Sequence, residues 1–317
     1  MQLKFHIIET PAQWDQAAAL SCAFFPEDPV TGPELQRYAS EHPTDIFLQR
    51  FLVTEEDAPV AYIRQAQSYW LEDQTISSTG IYVQRAESHV PLWLKCLAHS
   101  EEQARENDMK KSQLWVRSDH PELIEAIETQ GYIAGQVNPV SAAFLDEFDP
   151  APYQDVIERV QLTHEILDLN QYIERFPDDW MKRYYDFDMI VSRDIPMPGE
   201  FKELPFDSYT KMMLNPDVTR EGFFVALRGD ELEAMTQVHW NRLDPKLATT
   251  GLTGTLREAR RLGLATALKA KAMTWAKSVG IERLGTDNEE NNPMYQLNLA
   301  LGFKWVNNAT EYSKKLC

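Results

Sequence analysis

The sequence predicts an α+β fold made of two similar halves, each a mixed, mainly antiparallel sheet flanked by helices. Three observations carry that expectation. Helical and strand-like stretches recur in the same order on both sides of residues 147–156 (EFDPAPYQDV), a Pro- and Asp-rich break in the pattern. In the second half, Phe223–Arg228 and Leu232–Asn241 are strand-like runs separated by Gly229-Asp230, which marks an antiparallel hairpin rather than a doubly wound parallel sheet. Finally, both halves end alike. Thr79-Gly80-Ile81 leads to Gln130-Gly131-Tyr132 in one, and Thr253-Gly254-Thr255 leads to Leu301-Gly302-Phe303 in the other. The spacing is about fifty residues each time, as expected of a duplicated domain.

The elements follow in chain order. Pro11–Phe25 reads as a helix, Phe47–Thr54 and Ala61–Gln67 as strands, then a long helix through Lys95 and Ala104 and the strand Gln113–Val116. The second half opens with a helical stretch, Leu162–Phe176, followed by the hairpin. A strand ending near Leu256 then turns through Arg257–Leu262 into a helix. Its Leu264, Leu268, Ala272, Trp275 and Val279 fall on one apolar stripe, with Lys269, Lys271 and Lys277 off it, and Gly280 ends it. Ile281–Thr286 follows. Asn292 and Pro293 then read as N-cap and first residue of a short helix Pro293–Leu301, stopped by Gly302. The expected domains are 1–150 and 151–317.

Composition excludes whole classes of function. The 317 residues carry 49 acidic and 31 basic side chains, a formal net charge of −18. Nucleic-acid binding needs a basic face to displace counterions from phosphates, so it is not expected. No apolar run approaches the length of a membrane span and no signal segment is visible, so a cytoplasmic protein without membrane contact is expected. Cys22, Cys96 and Cys317 are too few and too scattered for a disulfide framework or a metal knuckle. The seven histidines show no zinc-ligand spacing, so no metal is expected. No two glycines are separated by a single residue, and phosphate-binding P-loop, metalloprotease and nucleophile-elbow motifs are absent too.

Chemistry concentrates in residues 253–303. A strand, a tight turn and a helix start leave unpaired backbone N–H groups at the positive end of a helix dipole, a ready anion site. Gly263 and Ala265 lack bulk there, and Arg260 and Arg261 add positive charge to an otherwise acidic chain. Capping explains Asn292, Pro293 and Gly302. It does not explain Asn288, Asn291 and Asn298, because asparagine is a poor residue for strands and helix interiors.

A strand followed by R-x-x-G-x-A, then T-x-N-x-x-N-x-P-M-x-x-x-N-x-x-L-G-F, resembles the GNAT superfamily of acyl-CoA-dependent N-acetyltransferases. The resemblance is greatest to the tandem-domain members that include mycothiol synthase. It implies two tandem GNAT-like domains. It implies also that Arg260, Arg261, Leu262, Gly263, Leu264, Ala265 and Thr266 cradle the pyrophosphate of acetyl-CoA, used as co-substrate. The strand backbone at Thr253, Thr255 and Leu256 would face the pantetheine arm and thioester, and Asn288 and Asn291 would touch the cofactor. Two departures stand out. Arg261 occupies a place where the family usually has glycine, and Asn298 occupies the place of a Tyr that serves many members as general acid, with Tyr295 one turn away. The first half loses the site: residues 84–91 read QRAESHVP without a glycine, Glu87 would repel a phosphate, and Ile127 stands where the acid would be. It reads as a degenerate copy.

Direct transfer to an amine calls for a base. His239 lies on the strand Leu232–Asn241, on the face opposite Ala234, Val238 and Trp240, and Asp194 lies in the loop 192–196. The acids and aromatics of residues 178–188 offer a surface for a small cationic amine. The function expected is N-acetyl transfer from acetyl-CoA to such an acceptor. The alternatives are a non-catalytic acyl-CoA sensor or interaction module, and acyl transfer to a group other than an amine.

Overall fold

The computed structural model describes residues 3–42, 46–83, 89–215 and 218–316. The chain forms two compact units, Met1–Asn138 with Met197–Lys202 and Asn307–Cys317, and Pro139–Pro196 with Glu203–Val306.

The first unit contains β1 (Leu3–Ile7), α1 (Pro11–Phe24), α2 (Gly32–Ser40), β2 (Leu48–Glu55), β3 (Ala58–Gln67), β4 (Ile76–Val83), α3 (His89–Glu106), β5 (Lys111–Arg117), α4 (Pro121–Thr129) and the start of β6 (Ile133–Phe144). Thr10 and Thr31 open α1 and α2 as capping boxes with Gln13 and Glu34, which satisfies the first amides of each helix. β1 to β4 form an antiparallel meander. β4 then pairs with β5 in parallel over Ile76–Thr79 only, so the two strands part beyond that point. One core lies on the α3 and α4 side of the sheet and includes Phe51, Ile63, Ile81, Trp93 and Leu114. The other lies under α1 and α2 and includes Trp14, Leu52 and Tyr62.

The second unit contains the end of β6, α5 (Gln154–Gln161), β7 (Glu165–Asp168), α6 (Leu169–Arg175), α7 (Trp180–Ser192), α8 (Phe206–Met213), β8 (Phe224–Arg228), β9 (Glu231–Trp240), β10 (Leu247–Thr255), α9 (Leu264–Ser278), β11 (Arg283–Asp287), α10 (Pro293–Ala300) and the start of β12 (Lys304–Lys315). Its strands follow the order β6-β11-β10-β9-β8-β7. Both units are α+β with mixed sheets, as expected.

The seams differ from 1–150 and 151–317. Val140–Phe144 of β6 pair with β11, which places them in the second unit, while Ala309–Lys315 of β12 pair with β5 in the first. Hydrogen-bond partners, rather than the Pro-rich break, set the division. Local readings differ in two further places. Leu162–Phe176 is not one helix: Glu165–Asp168 forms a strand against β8, and Asp168 caps the short α6 through Gln171. Lys269 is not on the solvent side of α9. It is buried with its Nζ 5.6 Å from the Phe303 ring centroid, and desolvation lowers its pKa to about 7, whereas Val279 of the expected stripe is exposed. The hairpin turn at Gly229, the α9 stop at Gly280 and the N-cap Asn292 all stand where expected. Cys22 and Cys96 are free thiols, and Cys317 lies outside the described residues. No helix among the described residues is long and apolar enough to cross a membrane.

Candidate active site

The second unit builds its site where β10 leaves β11. The two strands pair in parallel over Leu247–Thr249 and Arg283–Gly285 only, while β10 stays paired with β9 as far as Thr255. One edge of β10 from Thr250 onward is therefore open, an edge suited to an extended ligand with amide groups. A bulge between Thr250 and Thr253 interrupts the β9 pairing at this point. Within it, the Leu252 amide donates to Gln237 Oε1 at 3.2 Å, and Gln237 Nε2 donates to Tyr184 Oη at 3.2 Å.

Beyond β10 the chain makes one 3-10 turn, Arg257–Ala259, and enters α9 through two residues with positive φ, Arg261 at 67° and Gly263 at 89°. This path leaves the amides of Arg261, Leu262, Gly263, Leu264, Ala265 and Thr266 without an acceptor among the described residues; the first amide of the helix to find one is that of Ala267, on Gly263 O at 2.9 Å. Six successive unpaired donors at a helix N-terminus form a cradle for an anion. Gly263 serves it through backbone conformation. A Cβ there would lie 2.7 Å from Val156 Cγ2 of α5, so the glycine is needed for its positive φ and for packing on α5, not for clearance above the cradle.

Charge around the turn is arranged differently from the sequence reading. Arg260 and Arg257 both close on the carboxylate of Asp194, with Arg257 Nε 3.2 Å from Oδ2, and Arg260 Nε also donates to Thr255 O at 3.4 Å. The two guanidiniums occupy the Asp194 carboxylate and hold its carboxyl below its usual range, so it has less to offer an acceptor proton than a free loop carboxylate would. Arg261, by contrast, is exposed and has no partner among the described residues. A fourth cation was not legible in the sequence. Arg159 on α5 has its Nη2 3.4 Å from the Cβ position of Gly263, also with no carboxylate partner among the described residues. A cavity of about 250 Å³ adjoins the turn, lined by Val191, Asp194, Thr255, Leu256 and Arg257 among others.

His239 lies beside the bulge on the face expected. It pairs with Thr249 across the strands, its ring meets Phe223 edge-on at 4.9 Å, and a Cβ on Gly251 would come within 2.5 Å of Nε2. The residue as a whole is exposed, yet desolvation of its ring by the surrounding protein pushes the pKa down to about 4. It is therefore unprotonated at pH 7.

The three unexplained asparagines have local reasons. Asn298 is 0% exposed, and its Nδ2 donates to Asn288 Oδ1 at 2.6 Å, tying α10 to the loop after β11. Here Asn298 offers no exposed surface to a departing thiolate, and its Oδ1 is buried without a hydrogen bond. Asn291 is exposed and bonds through Nδ2 to Glu289 Oε1 at 2.8 Å. Residues 178–188 also differ from expectation. Asp179 pairs with Arg183 and Asp186 with Lys182, so these acids are neutralised within α7 and its N-cap. Asp188 is buried instead, accepts from Tyr209 Oη at 2.8 Å and Ser192 Oγ at 3.0 Å, and has its pKa raised by burial. The one sequence signal for it was its place four residues after Tyr184 on the apolar face of α7.

In the first unit, residues 84–88, read as the lost phosphate turn with Glu87, lie outside the described residues. Ile127 is buried in the core. Sequence spacing missed one convergence there: His89, His120 and Glu122 bring ligand atoms within 4.8 Å of one another, with His89 Nε2 3.0 Å from Glu122 Oε1, a contact that a His–Glu pair accounts for.

Residues 173–303 match the Acetyltransferase (GNAT) family. None of the curated proteins matches the chain. Among solved structures, a tandem GNAT protein from the clavulanic acid biosynthesis pathway is 18% identical with a TM-score of 0.77, covering 100% of this chain and 99% of its own. A GCN5-related N-acetyltransferase from Sphaerobacter thermophilus is 16% identical with a TM-score of 0.70, over 99% of this chain and 96% of its own. A GNAT-family acetyltransferase from Colwellia psychrerythraea is 13% identical with a TM-score of 0.62, over 98% and 99%. None of these three is named a mycothiol synthase, so that finer grouping stays a resemblance. The match over 173–303 contains the cradle, the β10 bulge and His239, and the full-length likeness extends the architecture to both units. The chain carries a GNAT acetyltransferase domain within a tandem GNAT fold, the architecture of an acetyl-CoA-dependent acyltransferase.

Proposed function

We propose that the second unit transfers an acetyl group from acetyl-CoA to the amine of an acceptor. The observation that carries this reading is the run of six unpaired amides, Arg261–Thr266, beside the open edge of β10. The amides and the Arg261 and Arg159 side chains fit a pyrophosphate, and the free strand edge fits an amide-rich arm. Acetyl-CoA supplies the acetyl group as a thioester. What the chain's own residues do follows from their positions. The cradle fixes the donor, and the β10 edge aligns it with the bulge. An attacking amine must lie within about 3–3.5 Å of the reacting carbon. It must also be neutral, and with a pKa near 10.4 less than about one part in a thousand is neutral at pH 7. His239, unprotonated beside the bulge, accepts the proton that becomes acidic as the new N–C bond forms and the C–S bond breaks. General bases contribute on the order of 10²–10⁴-fold, and a pKa lowered to about 4 sets His239 at the weak end of that range. The acids of α7 pair internally, so the reading is an amine acceptor without a preference for cations.

The burial of Asn298 favours one second reading, a non-catalytic acyl-CoA sensor, since α10 presents no acid at that position. Calorimetric titration with acetyl-CoA on the wild type and Arg261→Glu, followed by thiol release with a panel of small amines, tests both readings. One site per chain, weakened in the variant, together with amine-dependent thiol release supports the enzyme. Binding without amine-dependent release supports the sensor. No binding removes the cofactor assignment.

A further inference from the structure

The first unit holds a buried and a half-buried arginine side by side without a counter-ion. Arg50 on β2 and Arg64 on β3 are direct cross-strand partners on the face under α1 and α2. Like charges directly opposite each other repel, and a buried guanidinium normally finds a carboxylate. Neither is ion-paired among the described residues, in a chain with 49 acidic side chains. Arg50 is 6% exposed. Its Nη1 donates to Tyr62 Oη at 2.6 Å, its guanidinium carbon lies 5.8 Å from the Trp14 ring centroid, and its Nε is buried with no acceptor. Arg64 is half-buried and makes no hydrogen bond among the described residues. Their charges, after burial itself, also contribute to pushing the neighbouring His42 down to a pKa of about 4.

Arg64 lines a cavity of about 170 Å³ that opens where β4 leaves β5. That is many times the space one water needs. Phe24, Phe25, Tyr82 and Trp93 supply apolar and aromatic walls, and Thr79 presents a hydroxyl that is buried without a partner. Convergent apolar walls with a few unsatisfied polar groups and a planar cation make up a built small-molecule site. Arginine's fork matches a carboxylate bidentately.

We propose that the first unit binds an organic acid with an apolar or aromatic body, its carboxylate held by Arg64 with Arg50 behind it and its body in the cavity at the β4–β5 divergence. The site is separate from the cradle on α9 and does not depend on the acetyl-transfer reading. The test is calorimetric titration of the full chain with benzoate, octanoate and 3-phenylpropionate, with 3-phenylpropionamide and inorganic phosphate as separate arms. At least one acid is expected to bind saturably at one site per chain, with the amide and phosphate each at least about tenfold weaker. Arg64→Gln should weaken that acid at least about tenfold while Arg64→Lys loses less, and Arg261→Glu, at the other site, should change nothing. Circular dichroism confirms that each variant is folded, and the Lys variant carries the test if the Gln variant is not. Saturable binding by none of the acids, unchanged affinity in Arg64→Gln, or equal binding of the amide overturns the proposal. Phosphate binding as tightly as the acid overturns the assignment to an organic acid.

Discussion

Arg261 offers a substitution that should move stability and affinity in opposite directions. Its φ of 67° lies in the left-handed region, where a non-glycine residue carries about 1–2 kcal/mol of strain. Replacing it with glycine relieves that strain but returns about 0.5–1 kcal/mol as extra entropy of the unfolded chain. Arg261→Gly should therefore leave the fold as stable as before or up to about 1.5 kcal/mol more stable. The guanidinium is exposed and unpaired among the described residues, so its removal disturbs no contact within the protein. It removes a charge-assisted hydrogen bond to a phosphate, roughly 1.5–3 kcal/mol when fully formed and nearer 1 kcal/mol when screened at the surface. A value near 1.4 kcal/mol corresponds to about tenfold in Kd. Urea denaturation gives the first quantity, and calorimetric titration with acetyl-CoA at two salt concentrations gives the second. Arg261→Ala is the control: it keeps the strained φ and should lose the affinity without the gain in stability. If Arg261→Gly binds acetyl-CoA as the wild type does, or if stability and affinity fall together, the reading of Arg261 as a phosphate contact on a strained turn is wrong.

Gly263→Ala should cost stability as well as binding, about 1–3 kcal/mol, because it combines a φ of 89° with a Cβ 2.7 Å from Val156 Cγ2; an unchanged urea midpoint would contradict this. Asp194→Asn should tighten acetyl-CoA several-fold by freeing Arg257 and Arg260, with kcat within about threefold of wild type; a loss of kcat beyond the roughly 10² of a general base would restore Asp194 as the base. His239 has a folded pKa of about 4, below its unfolded value near 6.5, so below pH 6.5 the unfolded chain takes up a proton that the folded chain refuses. Stability should thus fall between pH 6.5 and 4, with a shallower fall in His239→Gln, read from urea midpoints across that range. Asp188→Ala should destabilise by about 2–3 kcal/mol by stranding Tyr209 Oη and Ser192 Oγ, and Asp188→Asn by less, since an amide oxygen still accepts.

What the sequence made legible is what local chemistry determines. Gly229-Asp230 demanded a hairpin turn, Asn292-Pro293 a helix start, and Gly280 a helix stop, and each is a matter of a few backbone angles. The R-x-x-G-x-A segment pointed to a turn with free amides for the same reason. Pairing over long separations was not legible. Nothing in Val140–Phe144 or Ala309–Lys315 marks β11 and β5 as their partners, so a division at the Pro-rich break was the natural expectation. The base candidates diverged on the same ground. Asp194 looked like a free loop acid because Arg257 and Arg260 are more than sixty residues away, and Arg159 beside Gly263 is farther still. Asn298 looked unexplained because its partner, Asn288, sits on another element.

In the proposed reading, binding and chemistry occupy different elements of the second unit, which separates the two functional readings by experiment. The cradle belongs to the turn between β10 and α9, and the group suited to move a proton belongs to β9, over Gly251 of the bulge. A change at Arg261 should therefore raise the Kd for acetyl-CoA and leave the rate at saturation untouched, whereas His239→Gln should lower the saturated rate and leave the Kd alone. His239 is already unprotonated across pH 6–9, so the wild-type rise in rate over that range reports the ionisation of the acceptor amine. Both proteins draw on the same neutral amine, so the factor lost with His239 should stay about constant from pH 6 to 9. A protein that only senses acyl-CoA would show the Arg261 effect on binding and no amine-dependent rate for His239 to alter.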